Sequence, residues 1–438
     1  MPKSSSKFQI IVLAVFIIAI IAGVAAFALY KGKSNTSTIP AVTIWGTFPA
    51  EAIQSYVSDI NASRADKITV YYSEFSPVNF NTKFINSLAS GSGPDAILLP
   101  ADMILTEQGK LTVIPYSVLS QRDFMNNYIQ EASVYLTSSG IRAIPFTIDP
   151  LVTYWNRDTF NSSGLALAPS FWDEFTGSNL KPGLPQKLTI KDQNGNIRKS
   201  AVAMGDFSNM TNAREVLGSL FLQNGNPVTM TTQRGVESAL ANDNAAGSSA
   251  ALRFFSQFAD PTSANYSWNR SLPVDKIAFL SGQLATYFGF ASEIADLRSK
   301  NPNLNFDVAP FPQIRGGEKV SYGELYGFSL VRNSSLANAA YQVIEVLTDP
   351  VNLAGLASKM YLPTVRNDLI AQGSTDPYVT IFNQAALISR TWLDSSQSDS
   401  RSVFGNLVRS IVSGQKSLND AITSSNNEYN QLLLFAGQ

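Results

Sequence analysis

The sequence predicts an α/β protein of two lobes, preceded by one N-terminal transmembrane helix. Three observations carry this. A chain of 438 residues is too long for a single compact core. The folded part opens with strand and helix patterns in alternation, as a mostly parallel sheet requires. Ile141–Phe160 then sets two extended runs on either side of Asp149-Pro150, the form of a crossing between lobes.

The N-terminus comes first. Phe8–Tyr30 is apolar apart from Gln9, and Lys3, Lys7, Lys31 and Lys33 flank it. About 20 helical residues span the hydrocarbon core, so the stretch is long enough to cross a bilayer. An uncleaved anchor over residues 1–34 is the favoured reading. Ala26-Phe27-Ala28 offers an A-x-A cleavage site, so a cleaved, secreted form is the alternative. Basic residues on both sides leave the orientation open. Residues 35–40 form a polar tether, and Gly32-Lys33-Ser34 lacks the strand and leading glycine of a phosphate loop.

In the first lobe, Ala41–Trp45 reads as a strand ending in Gly46-Thr47-Phe48. Pro49 suits the first turn of a helix with Ile53, Tyr56, Val57 and Ile60 at helical spacing. Lys67–Tyr72 is the next strand. Phe80–Ser90 is an amphipathic helix with Phe84, Ile85 and Leu88 on one side, and Asp95–Leu99 is a buried strand. Ligands sit beyond the carboxyl ends of such strands, here Trp45–Phe48, Glu74–Phe75 and Pro100–Asp102. At the crossing, Ile141–Ile148 and Leu151–Trp155 read as two strands joined by a proline-pinned linker.

Beyond it, Ser170 is the expected N-cap of a helix through Phe175. Lys187–Lys191 and Ile197–Met204 read as a hairpin around an Asn-Gly turn. Asp192, Asn194 and Asn196 mimic a calcium loop, but Ile197 and Ala203 stand where that loop needs Gly and Glu. Asn212–Phe258 reads as mostly helical. Asp275–Gly289 gives helix, Gly turn and strand, Phe306–Phe311 a strand, and helices run from Ala337 to the end. Ser417 and Asp420 resemble a capping pair.

Composition excludes several functions. Basic and acidic residues number 32 and 33, with no basic block, so nucleic acid is not an expected partner. There is no cysteine and no histidine. Disulfides, thiol nucleophiles, zinc thiolates and His-based triads are therefore impossible. No metal or other cofactor is expected.

The order of short motifs across residues 41–438 resembles the extracellular solute-binding proteins of ABC importers, the group that includes maltose- and other sugar-binding proteins. The matching pieces are Gly93-Pro94-Asp95, Ile144-Pro145 to Asp158, Pro169–Phe175, Phe279–Ala285 and Ala309–Pro312. They continue with Gly327–Leu330, Ala339-Ala340 to Pro350, Leu362-Pro363-Thr364 and Ile411–Lys416. The resemblance implies a two-lobed, periplasmic-binding-protein-like fold with a multi-strand hinge near 145–150, 304–308 and 332–336. Lobe 1 would combine 41–147 with 306–332, and lobe 2 150–303 with 336–438. It also implies a permease of an ABC importer as partner, on the extracytoplasmic face of the membrane. With no cysteine the chain cannot be a lipoprotein, so the N-terminal helix would tether it instead.

A neutral polyhydroxyl ligand wants aromatic faces and hydroxyl acceptors. Resemblance and strand ends together nominate Trp45, Phe48, Phe207, Phe288, Tyr322 and Trp392 for stacking, beside Asn209 and Gly289. Glu74, Asp102 and Asp149 are nominated as acceptors. Trp155 and Trp172 are expected to be structural. Two rivals remain. A glycosidase would pair Asp149 with Asp102 or Glu74, although no nucleophile motif appears. A sensing or adhesion module would keep the fold without transport.

Overall fold

The computed structural model describes residues 39–178 and 181–436. The expected anchor at 1–34 lies outside the described residues. Among those described, no helix is long and apolar enough to cross a membrane.

One large sheet runs through both halves of the molecule. Its main strands are β1 (Val42–Gly46), β2 (Val70–Glu74), β3 (Ala96–Pro100), β4 (Ile144–Asn156), β5 (Ile197–Val202), β6 (Leu284–Phe290), β7 (Phe306–Pro310) and β8 (Ser321–Val331). The order is β5-β6-β4-β8-β3-β1-β2, with β7 also on β4. β1 pairs parallel with β2 and β3, while β3 meets β8 antiparallel. Burial alternates along β1, and β3 is buried throughout, as an edge-proximal and a central strand should be.

β4 corrects the expectation of two strands with a linker. It is a single strand of 13 residues, buried at every position. Its first half pairs with β8, from Ile144 opposite Phe328 to Pro150 opposite Gly323. Its second half pairs with β6 and β7. Pro150 has no N–H to give, but its carbonyl accepts from the Ala291 backbone N–H, so the chain changes partners without breaking.

Two hydrophobic cores result. The first gathers Val42, Ile44, Ile97, Phe146 and Phe328, and the second Trp155, Phe160, Trp172, Phe221, Phe288 and Phe404. Against the expected assignment of 336–438 to the second lobe, Ala340, Val343, Ile344, Leu347, Leu353 and Val365 lie in the first core. Apolar periodicity says that a helix buries a face, not which of two cores receives it.

Helix α1 (Ala50–Ser63) buries Ile53, Tyr56 and Ile60. α2 (Pro77–Ala89) starts earlier than expected, with Pro77 in its first turn; it buries Phe80 and Phe84 and leaves Ile85 exposed. Three local readings also change. Phe171, not Ser170, is the N-cap of Trp172–Thr176, because the Glu174 carboxylate accepts from both backbone N–H groups. Leu184–Leu188 is helical, so the hairpin keeps only Ile190–Lys191 against β5. A hairpin, Thr229–Thr232 with Gly235–Ser238, interrupts the expected helical region between α3 (Ala213–Gln223) and Ala246–Ser256. The Asn-Gly turn is as expected: Gly195 has φ +82°, and Asp192 Oδ1 accepts from the N–H groups of Asn194 and Asn196. The chain ends in α4 (Gln397–Val412) and α5 (Leu418–Ala436), and the Ser417–Asp420 pair forms at the start of the latter.

Candidate ligand-binding site

A cavity of 740 Å³ lies between the two cores. The first core's side supplies Asn81 and Thr82 on α2, with Met103, Thr106 and Glu107 beyond β3. The second supplies Arg214 and Glu215 at the start of α3, Ser395–Asp399 and Arg401, and Phe435 near the end of α5. The volume lies within the range of roughly 300–1,000 Å³ usual for small-molecule pockets.

Arg214 organises the inner wall. It is 1% exposed, and Asp102, which it meets from the opposite lobe, is 0% exposed. Its Nη2 donates to Asp102 Oδ2 at 3.0 Å and to Asp394 Oδ2 at 2.7 Å. Nη1 donates to Glu215 Oε1 at 3.1 Å, and Nε to Ser400 Oγ at 2.6 Å. The guanidinium also lies over Trp392, 4.4 Å from the ring centroid. The Tyr322 hydroxyl donates to Asp102 Oδ2 at 3.2 Å, and Gln397 Nε2 bridges Asp102 to Glu324. Both ions have lost their water, and only this dense bonding offsets that loss.

The acids behind the wall are also buried. Burial pushes Asp102 up from the usual carboxylate range, against the pull of Arg214. Burial raises Glu324 to about 8 and Asp149 to about 7. These two face each other across β4 and β8, and Asp149 Oδ1 accepts from the Ser292 N–H at 3.1 Å. Asp102 Oδ1, Glu215 Oε2 and Asn81 Oδ1 are buried acceptors with no hydrogen-bond donor among the described residues. Of these residues Asn81 and Glu215 stand on opposite walls of the cavity, where a ligand rich in O–H or N–H donors would pair with them, whereas Asp102 lies behind Arg214 and does not line it.

The residues nominated from sequence divide. Asp102, Tyr322 and Trp392 come together in the Arg214 network, but none of them lines the cavity and the two rings are buried in the second core rather than open for stacking; Asp149 lies behind them on β4, where the strand changes partners. The others stand elsewhere. Phe48 packs in the first core against Phe146 and Tyr326, and Trp45 rests on Phe75 with ring centroids 4.7 Å apart. Glu74 accepts from the Ala50 N–H at the start of α1. Phe207 lines a separate recess of 70 Å³ beside Arg270 and Gly405. Asn209 is fully engaged by Asn269, Leu272 and Trp268. Phe288 is core, packed on Trp172 and Phe311, and a Cβ at Gly289 would meet Tyr287, Glu293 and Tyr154. Trp155 and Trp172 are buried packing residues, as expected. Sequence reasoning missed Arg214, Glu215, Gln397 and Phe435. The available signal was Arg214-Glu215, two charges in adjacent positions of the otherwise uncharged α3.

The profile of the bacterial extracellular solute-binding protein family matches residues 49–354. The chain belongs to this family. Solved structures with the same fold include CpMnBP1 with mannotriose bound, 19% identical at a TM-score of 0.68, covering 89% of this chain and 99% of that one. A cyclic alpha-maltosyl-1,6-maltose binding protein from Arthrobacter globiformis is 17% identical at 0.72, covering 90% and 99%. A cyclo/maltodextrin-binding protein complexed with maltotetraose is 15% identical at 0.69, covering 89% and 96%. A comparison with curated proteins returns no match. As a solute-binding protein the chain is a carrier rather than an enzyme, and its place is extracellular. Its two-lobed α/β fold is that of the solved sugar-binding structures.

Proposed function

We propose that this solute-binding protein captures a carbohydrate between its lobes and presents it to the permease of an ABC importer. The observation that carries the reading is the pair of unpartnered acceptor residues on the cavity walls, Asn81 on one lobe and Glu215 on the other. Sugar hydroxyls are dense, neutral donors that suit both. Arg401, on the same wall as Glu215, donates in return to ring and hydroxyl oxygens. Solved relatives of the same fold carry mannotriose and maltotetraose, which supports an oligosaccharide.

The closing bodies are the two packing units around the two cores. Residues 337–365 travel with the first lobe, and 391–436 with the second. β4 and β8 form the hinge. The apolar segment Phe8–Tyr30 holds the protein at the outer face of the membrane.

A thermal-shift screen of residues 36–438 against mono- and oligosaccharides, polyols, amino acids, peptides and polyamines tests the reading. A ligand at about 100 times its dissociation constant adds roughly 2.7 kcal/mol to folded-state stability. A shift with one family of sugars is expected. A shift with polyamines or peptides alone would overturn the carbohydrate assignment.

A further inference from the structure

A second cavity, of 890 Å³, also lies between the lobes. It is separate from the first, because the two take opposite faces of the same elements. On α5 the first is lined by Leu432, Phe435 and Ala436, which share one helix face. The second is lined by Leu433 and Leu434 on another face of that helix.

The charges differ as well. Glu107, Glu215 and Asp399 line the first cavity against Arg214 and Arg401. Arg142 and Arg234 line the second, and no carboxylate does. Arg234 is paired with Glu237. Arg142 is half-buried, burial lowers its pKa, and among the described residues it has no ion-pair partner. Around it stand neutral donors and acceptors, among them Gln121, Ser138, Thr229 and Thr391, whose hydroxyl is buried without a partner.

A guanidinium taken partly out of water is stable when a carboxylate or phosphate matches its planar fork. Among the described residues no carboxylate plays that part for Arg142. We infer that this cavity is a second ligand site, for a small oxyanion whose carboxylate or phosphate group pairs with Arg142. The walls come from both lobes, so the anion would touch Thr229 and Thr391 of the second lobe while held by the first.

The test uses the full chain in mild detergent, with inorganic phosphate and citrate as probes and sodium chloride at matched ionic strength as reference. Phosphate or citrate should raise the melting temperature above the chloride reference in the native chain and in Arg253→Gln, an exposed-arginine control. In Arg142→Gln the same shift should need about 10- to 100-fold more anion, the loss expected for a hydrogen bond to a charged group. Arg142→Lys keeps the charge but not the fork, and should fall between; it decides the matter if Arg142→Gln does not fold. No shift beyond chloride in the native chain, or an equal shift in the Arg142 variants, overturns the inference. Binding in the first cavity should be unchanged in both variants, which separates this outcome from a failure of the carbohydrate reading.

Discussion

Arg214→Met removes the cation from the inner wall and keeps the stem volume. The native guanidinium serves Asp102 at 3.0 Å, Asp394 at 2.7 Å and Glu215 at 3.1 Å, and is 1% exposed. Without it, Asp102 and Asp394 stay buried with no cation between them. Breaking a buried pair by removing one partner costs about 3–5 kcal/mol. For domains of about 150–250 residues each kcal/mol shifts the melting temperature by roughly 2–4 °C. The variant should therefore melt on the order of 10 °C lower, and its urea midpoint should fall with an unchanged slope. Two further readouts isolate the cause. Asp102→Asn added to Arg214→Met should recover part of the loss, because one orphaned charge is gone. Stability of the single variant should also fall more steeply from pH 5 to 8 than that of the native chain. The orphaned carboxyls would then titrate above their unfolded values, and that contribution is lost as pH rises through the folded value. A loss below about 1 kcal/mol, with a native pH profile, would refute the claim that Arg214 neutralises this wall.

Glu215→Ala should weaken sugar binding by roughly 1–3 kcal/mol in titration calorimetry, since an acceptor on the cavity wall is lost; unchanged affinity would remove Glu215 from the site. Phe435 is 73% exposed at the cavity mouth, and Phe435→Ala should cost about 1 kcal/mol of affinity for longer sugars while leaving the melting temperature unchanged. A Cβ at Gly218 would come 2.5 Å from the Trp392 ring, so Gly218→Ala should destabilise by about 1–3 kcal/mol in urea unfolding through overpacking. Burial raises Asp149 to about 7 and Glu324 to about 8, so the stability these two groups contribute should be full below about pH 4 and decline as pH rises toward 8. Glu324→Gln should flatten that decline, and a profile unaffected by the substitution would rule Glu324 out as its source.

Much of the fold was legible, and for identifiable reasons. Strands β1 and β3, helix α1 and the Asn194-Gly195 turn follow from local chemistry: alternation, apolar runs, and a residue at positive φ. β4 was split in sequence because Pro150 is read as a break, and only the sheet shows that its carbonyl is used while its nitrogen is not needed. The site was legible only in part. Asp102 lies at the strand end where sequence puts it, in the network behind the cavity, but Tyr322, Trp392, Phe288 and Phe48, all nominated for stacking, are core. An aromatic residue is equally at home packed or stacked on a ligand, so residue type alone cannot sort the two. Arg214 escaped because its partners Asp102, Asp394 and Ser400 each lie more than 100 residues away in sequence, with only Glu215 beside it.

The geometry also says why ligand and closure should be linked. Arg214 of one lobe meets Asp102 of the other, so bringing the lobes together strips water from both ions. The hydrogen bonds of Ser400, Tyr322 and Gln397 offset part of that desolvation. Across the cavity Asn81 Oδ1 and Glu215 Oε2 stay buried and unanswered, at about 1–3 kcal/mol for each open acceptor. A closed protein without ligand therefore carries a penalty that a closed protein holding hydroxyl donors does not. That difference in free energy between the two states is what allows a ligand to shift the balance toward closure. Ligands without donors at those two positions would fill the cavity and still leave the penalty in place. Specificity at this wall is then set by where hydroxyls fall, and closure by how many of the open acceptors they reach.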